Sequence, residues 1–455
     1  METVLSNIFG SFIFWAAWIV IPLIMEVIPA IGSFIVLLKI RIQNKQIEPP
    51  IIYPEISIII PIYNSQATLE ACIKSINDSN YPTDAIRVFL VDNQGSAECF
   101  AVFAKCQDKF PDLRMQWLNS EQGKSRALNM ALYNSEGKYI IHIDSDGVLE
   151  KDALRYMVDK FESDSSVNCM TGSILVEPAL IMKYKRGLPR LLRRLEFMEY
   201  AQAFLAGRTY AAEMDTMYTV SGAFSGFRKS AILKSWLFNT DTICEDTQIT
   251  FQMRYLQHEK IDNSRDSIFM VDPIEDMNKL YTQRQRWQRG SLEVSKMFMN
   301  QKFKPHNIVN DVGVRTLMYD HTFAFPRLIW YLALICLMFV GYSSKTILGA
   351  TAILFAIYII CGFLYFATVV GCLDKFPEIR KFYASNWWVV PLLPFFNFIV
   401  FFIRMAGIIN SINTDSAWKT RNLTDEKNAF VEVIKGDTGK VSKAFKAFAD
   451  FCNED

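Results

Sequence analysis

Four apolar stretches decide how this chain can be laid out. Residues 8–40, 322–342, 346–371 and 386–410 are each dominated by aliphatic and aromatic side chains. Crossing a hydrocarbon core takes roughly 20 such residues in a helix, so each stretch is a candidate membrane segment. The first holds only Glu26 and Lys39 as charges and is long enough for one tilted helix or a broken one. It has no basic stretch before it and no A-x-A-like cleavage site, which argues against a removable signal peptide. The expected division is an N-terminal membrane segment (1–48), a central domain (49–305), C-terminal transmembrane helices (306–412) and a polar tail (413–455). No Lys or Arg precedes the first stretch, whereas Lys39, Arg41 and Lys45 follow it, so the central domain is expected on the cytoplasmic side. Three full spans after that domain would put the lysine-bearing tail outside, against the same rule. The stretch 386–410, with Pro391, Pro394 and Arg404, can instead be re-entrant or interfacial.

Composition agrees with a membrane protein: 51% hydrophobic, with 35 phenylalanines gathered towards the ends. A formal net charge of +1 speaks against a dedicated nucleic-acid binder. The nine cysteines form no C-x-x-C pair and the four histidines are dispersed, so neither a zinc site nor a disulfide framework is indicated.

The central block alternates strand and helix patterns. ISIIIPIY (56–63) is a β-branched run suited to a strand buried on both faces. Leu69, Ile73 and Ile76 follow at helical spacing, and RVFLV (87–91), LRMQWL (113–118) and KYIIHI (138–143) supply three more strands. This rhythm predicts a mostly parallel α/β sheet, which binds ligands beyond the carboxyl ends of its strands.

Acidic turns stand at those ends. Asp92 closes the second predicted strand, and Asp144 and Asp146 follow the fourth as D-S-D. Turn chemistry explains either alone, but two acidic turns on one side of a sheet point to a ligand. Carboxylates at D-x-D spacing suit Mg²⁺ or Mn²⁺, whose remaining positions go to water and substrate phosphates. No P-loop and no G-x-G-x-x-G accompanies them. Lys124 and Arg126 could approach a phosphate or simply solvate a helix start. YTVSGAFSGFRKSAI (218–232) could line a groove or be plain packing. Glu245 and Asp246 open a predicted helix, where acidic residues complement the macrodipole or supply a general base. TQRQRWQRGS (282–291) interleaves arginines with a tryptophan, and KYKRGLPRLLRRLEFMEYAQAFLAGR (183–208) reads as a basic amphipathic helix on anionic lipid.

Taken in order, Asp92, D-S-D at 144–146, E-D at 245–246 and Q-R-Q-R-W at 283–287 resemble the motif set of the membrane-embedded inverting glycosyltransferases of family 2. That family includes cellulose, hyaluronan and poly-N-acetylglucosamine synthases. The phrase RMAGIINSINTDSAWKT and the arrangement of apolar stretches are also similar to the glycosyltransferase that accompanies exosortase G systems.

The resemblance implies a cytoplasmic GT-A domain with flanking transmembrane helices in a multi-pass protein of the cell membrane. It further implies a UDP-sugar donor, Mg²⁺ or Mn²⁺, and a polysaccharide acceptor. Tyr63 and Asp92 would hold the uracil, and Lys124 would lie by the nucleotide. Asp144 would sit near the ribose and diphosphate, and Asp146 on the metal beside it. Asp246, next to Glu245, would be the base. Gln283, Arg286 and Trp287 would border acceptor and diphosphate from a short helix, with Arg284 and Arg289 turned to headgroups or solvent. Membrane lipid and other envelope-biosynthesis proteins are the implied partners. D-N-Q-G-S stands where the family often has D-D-G-S, and C-E-D where it often has T-E-D. Single-sugar transfer to a membrane lipid and a catalytically silent membrane scaffold are the alternative readings.

Overall fold

The computed structural model describes residues 26–43, 47–299, 339 and 343–413. The upstream part of the first apolar stretch, residues 322–342 except Phe339, and the tail from 414 lie outside the described residues.

Helix α1 (Ile28–Gln43) is followed by β1 (Ile56–Ile62), α2 (Leu69–Asn77), β2 (Ile86–Asp92), α3 (Glu98–Lys109), β3 (Arg114–Asn119), α4 (Lys124–Asn134) and β4 (Tyr139–Ile143). Then come β5 (Gly147–Leu149), α5 (Ala153–Ser163), β6 (Val167–Val176), α6 (Leu188–Ala201), β7 (Phe224–Arg228), α7 (Glu245–Phe251) and β8 (Lys260–Val271). The last helices used below are α8 (Met277–Met299), α9 (Ser344–Cys372), α10 (Pro377–Ser385) and α11 (Leu393–Asn413).

All four strands expected from sequence form, and they make one parallel half, β3-β2-β1-β4. Ile58, Ile60 and Ile62 join the core that includes α2, α3 and α5, while Ile59 packs with Phe89, Val91 and Ile140 against α4. Alternate side chains thus enter opposite cores, and each fully buried isoleucine contributes about 1.5–3 kcal/mol.

The expectation of a mostly parallel sheet needs correction. The other half, β7-β6-β8-β5, is mixed: β7 runs antiparallel to β4 and β6, and β5 antiparallel to β8. The strand β7 is FSGFR, short and without β-branched residues, so its pattern concealed it. Its Gly226 leaves no room for a Cβ, which would come 2.6 Å from Met157 Sδ.

Where β1 meets β4 the sheet opens. Strand β1 pairs with β2 through Ile62 but with β4 only as far as Ile59. Pro61, which has no N–H to donate, falls in the unpaired stretch. The strand order reverses here, and the crevice at such a point is where α/β sheets bind ligands.

Two helical runs among the described residues, Ile347–Cys372 and Trp387–Asn410, are long and apolar enough to cross a membrane. In the second, Pro391 lies inside a 3₁₀ turn (Trp387–Leu392), where it leaves out one N–H, and Pro394 is the second residue of α11, before any intrahelical N–H is needed. The charge in this run, Arg404, donates from Nε to Gln288 Oε1 of α8 at 2.7 Å. Gly407 lies against the same helix, where a Cβ would stand 3.3 Å from Gln285 Cα.

The basic segment 183–208 only partly behaves as a free amphipathic helix. Arg193 is buried and donates to Pro189 O and Glu275 O, and Glu196 accepts from Ile274 N at 2.9 Å. Phe197 packs edge-on against Phe382 of α10, centroids 5.2 Å apart. One face of α6 is therefore core, and charge counting alone cannot reveal which.

Candidate active site

Two loops face each other at the ends of β1 and β2. Asp92 Oδ1 accepts from Gly95 N at 3.0 Å, folding D-N-Q-G-S back over the end of β1. The approach is tight, since a Cβ on Gly95 would stand 2.9 Å from Asn64 N. Tyr63 is 41% exposed beside this turn. Asn93 Oδ1 accepts from Gly123 N, which joins the same turn to the start of α4.

From that start Lys124 reaches into the opening between β1 and β4. Its Nζ lies 2.6 Å from Asp144 Oδ1 and 3.2 Å from Glu245 Oε1, and it donates to Gly222 O at 3.0 Å. Burial alone would lower the lysine, but Asp144, then Glu245 and Asp246, outweigh it and hold the ammonium above its usual range. Burial likewise opposes the charge on Asp144, and the Lys124 charge overcomes it, holding that carboxyl far below the usual range. His142, buried one turn of the pleat earlier, has Nε2 3.6 Å from Asp144 Oδ1. Burial and the Lys124 charge keep its imidazole below the ordinary histidine range.

Asp146 is different. It makes no ion pair among the described residues and opens to solvent. The crevice walls, and then the Asp144 charge, push its carboxyl up to about 6. Ser145 between them is locked down: Oγ lies 2.6 Å from Ser65 Oγ, and its carbonyl accepts from Thr68 Oγ1.

Asp246 stands at the start of α7 without an ion pair among the described residues. Its Oδ2 accepts from Gly222 N at 3.0 Å and its Oδ1 from Thr247 N at 2.6 Å. Burial, then the neighbouring Glu245 charge, raise it to about 6. Gly222 is the other side of this contact, since a Cβ there would sit 3.0 Å from Asp246 Oδ2. Of 218–232, Gly222 touches Asp246, and the residues from Phe224 to Arg228 form β7.

The motif helix α8 is 23 residues long rather than short. It crosses directly behind the Glu245–Asp246 pair: Cys244 Sγ donates to Arg286 O at 3.9 Å, and a Cβ on Gly290 would fall 1.9 Å from Cys244 Sγ. Trp287 is 41% exposed. Arg284 and Arg289, expected to face headgroups or solvent, are buried instead, 5% and 6% exposed. Arg284 Nη2 pairs with Glu199 of α6 at 2.5 Å, and its guanidinium stacks 4.4 Å from the Trp287 ring. Arg284 is turned to α6 and stacks on the motif tryptophan, and Arg289 is buried as well, so neither arginine faces solvent.

Sequence reasoning gave no site role to His142, Cys244 or Gly290, and took Gly222 only as part of 218–232. The glycines carried a signal: each lies within a few residues of a singled-out motif, where close backbone approach is a reason for glycine. Lys124→Met, which leaves Asp144 and Glu245 without their cation, is expected to cost on the order of 3 kcal/mol in a melting experiment.

Residues 57–236 match the family model described as Glycosyl transferase family 2. That stretch, less than half of the chain, is similar to a family 2 glycosyltransferase domain. The match spans β1 to β7, and the chain beyond it supplies Glu245, Asp246 and α8. A poly-β-1,6-N-acetyl-D-glucosamine synthase of Staphylococcus epidermidis is 27% identical over 263 residues, 57% of this chain and 58% of the relative. One of Staphylococcus aureus (strain COL) is 24% identical over 239 residues, 52% and 55%. The chain thus spans little more than half the length of these relatives. Among solved structures, the mannosyltransferase PcManGT from Pyrobaculum calidifontis in complex with GDP-Man and Mn²⁺ aligns with a TM-score of 0.56 at 16% identity, over 79% of this chain and 98% of that one. That likeness concerns the fold, and the glycosyltransferase domain has the GT-A architecture with its mixed sheet.

Proposed function

We propose that the chain transfers a sugar from a nucleotide-diphosphate sugar, a UDP-sugar first, to a growing polysaccharide at the membrane with inversion of configuration. The observation that supports this is Lys124 joining Asp144 of D-S-D to Glu245 of E-D at the opening of β1 and β4, with the Q-R-Q-R-W helix packed against Cys244 behind them. In this reading Tyr63 and Asp92 hold the base, and Lys124 fixes Asp144 and Glu245 in place beside the diphosphate. Asp246 takes the proton of an acceptor hydroxyl as its oxygen bonds to the anomeric carbon. The bond from that carbon to the diphosphate breaks on the opposite face, and the nucleoside diphosphate leaves with the electron pair. Gln283 and Arg286 stand where that charge grows, and Trp287 offers a ring to the acceptor.

Asp146 suits Mg²⁺ or Mn²⁺ better than Asp144 does, because Lys124 already occupies Asp144. Among the described residues there is no cluster of three or more ligating side chains. That agrees with an ion held by one or two carboxylates and the donor's phosphates. Such an ion, when bound, would neutralise charge on the diphosphate. In this reading the catalytic domain, 49–305, works on the cytoplasmic side of a multi-pass protein, with the acceptor delivered along its membrane helices.

The test is product analysis with full-length protein in detergent, supplied with labelled UDP-N-acetylglucosamine, other UDP-sugars or GDP-mannose, with and without Mn²⁺. Long polymer formed from a UDP-sugar is the expected result. A single-sugar glycolipid alone would replace the polymerase reading, and no turnover of any donor would leave a scaffold. A pH profile adds a second check. The ionised carboxylate of Asp246 is the active form, so the rate is expected to fall about tenfold per unit as pH drops below about 6.

A further inference from the structure

Away from the β1–β4 opening, the start of α6 meets the start of the apolar run Trp387–Asn410 and leaves a cavity of about 560 Å³. It is lined by Arg186, Arg190 and Arg194 together with Leu188, Leu191 and Trp388, with Met182 and Gly187 completing it. Three features set it apart from an ordinary basic surface.

The first is uncompensated charge. None of the three arginines has a carboxylate partner among the described residues. Arg190 donates only to the carbonyls of Tyr184 and Met182, which fix its position without neutralising it. Arg194 Nε is buried with no hydrogen-bond partner, and burial with the nearby Arg190 charge lowers this guanidinium below its usual range. The arrangement asks for an anion.

The second is level. Trp388 lies at the leading end of a run apolar enough to cross a membrane, the depth at which aromatic belts mark the headgroup region. Arg194 stacks 5.5 Å from that ring. The third is the mixed lining: guanidinium groups stand beside Leu188, Leu191 and the Trp388 ring, which suits a ligand with a charged head and an apolar tail. The first turn of α6 also contributes backbone N–H groups that no side chain caps.

We propose that this cavity binds one anionic phospholipid of the bilayer, its phosphate among Arg186, Arg190 and Arg194 and an acyl chain along Leu188, Leu191 and Trp388. The consequence reaches past attachment. Helix α6 also carries Glu199, which pairs with Arg284 beside Trp287. A lipid seated at the first turn of α6 therefore steadies the helix that supports the motif tryptophan.

The experiment uses full-length protein in neutral detergent, titrated with phosphatidylglycerol or phosphatidylcholine and read by native mass spectrometry. The wild type is expected to retain phosphatidylglycerol in preference. Arg190→Gln/Arg194→Gln is expected to reduce that preference by roughly thirtyfold with phosphatidylcholine retention unchanged, since each basic residue near an anionic headgroup contributes roughly fivefold. Because Arg190 also ties down the preceding loop, Arg186→Gln, at an exposed residue, is expected to give a smaller reduction with unaltered melting. Equal retention of both lipids by the wild type, or an undiminished preference in both variants, overturns the proposal. Displacement of the lipid by millimolar inorganic phosphate overturns it too, because the site would then be one for free phosphate.

Discussion

Asp246→Asn is expected to lower sugar transfer by about 10²–10⁴-fold, the range a positioned general base supplies, while UDP binding changes less than twofold. The asymmetry is the point. The carboxylate accepts from Gly222 N on one oxygen and from Thr247 N on the other, and one of the two bonds survives with an amide oxygen. What the amide loses is the ability to take a proton. Its NH₂ must also face one of those two N–H donors, which costs about 1–2 kcal/mol and should appear as a lower melting temperature. The check is steady-state turnover beside UDP titration on the same preparation. Parallel loss of both would mean that Asp246 shapes the nucleotide pocket and is not the base.

Gly290→Ala is expected to be nearly as damaging to turnover, although it removes no functional group. A Cβ at this position would come within 1.9 Å of Cys244 Sγ and 2.7 Å of its Cβ, so α8 must retreat from the Glu245–Asp246 segment. Overpacking of this kind costs about 1–3 kcal/mol in stability. A shift near 1 Å between base and motif helix is enough to cost about 10²-fold in rate. Cys244→Gly should restore part of both, because it removes the atoms that collide. Failure of that rescue, with melting and turnover as readouts, would show that Gly290 matters for a reason other than this contact.

The parallel half of the sheet was legible because ISIIIPI and YIIHI are runs that only a doubly buried strand explains. The acidic turns were legible for the same reason, since a strand end fixes where its next residue points. The antiparallel half was not. Strand β7 carries no β-branched residue and no apolar alternation, and its pairing with β4 follows from a long excursion that brings residue 228 opposite residue 139. The fate of Arg284 and Arg289 was hidden likewise: helical periodicity assigns each a direction but cannot say whether water or protein lies there. Lys124 shows the limit most plainly. Sequence offered it a phosphate, and the fold gives it two carboxylates and a carbonyl.

The contact between Arg404 and Gln288, with Gly407 seated on Gln285, has a mechanical meaning. It rivets an apolar helix of membrane length to the helix that bears Gln283, Arg286 and Trp287. Tilt answers hydrocarbon thickness in such a helix. In a thicker or thinner bilayer the rivet would carry that tilt into the placement of Arg286, so the proposed sugar transfer should read the thickness of the surrounding membrane.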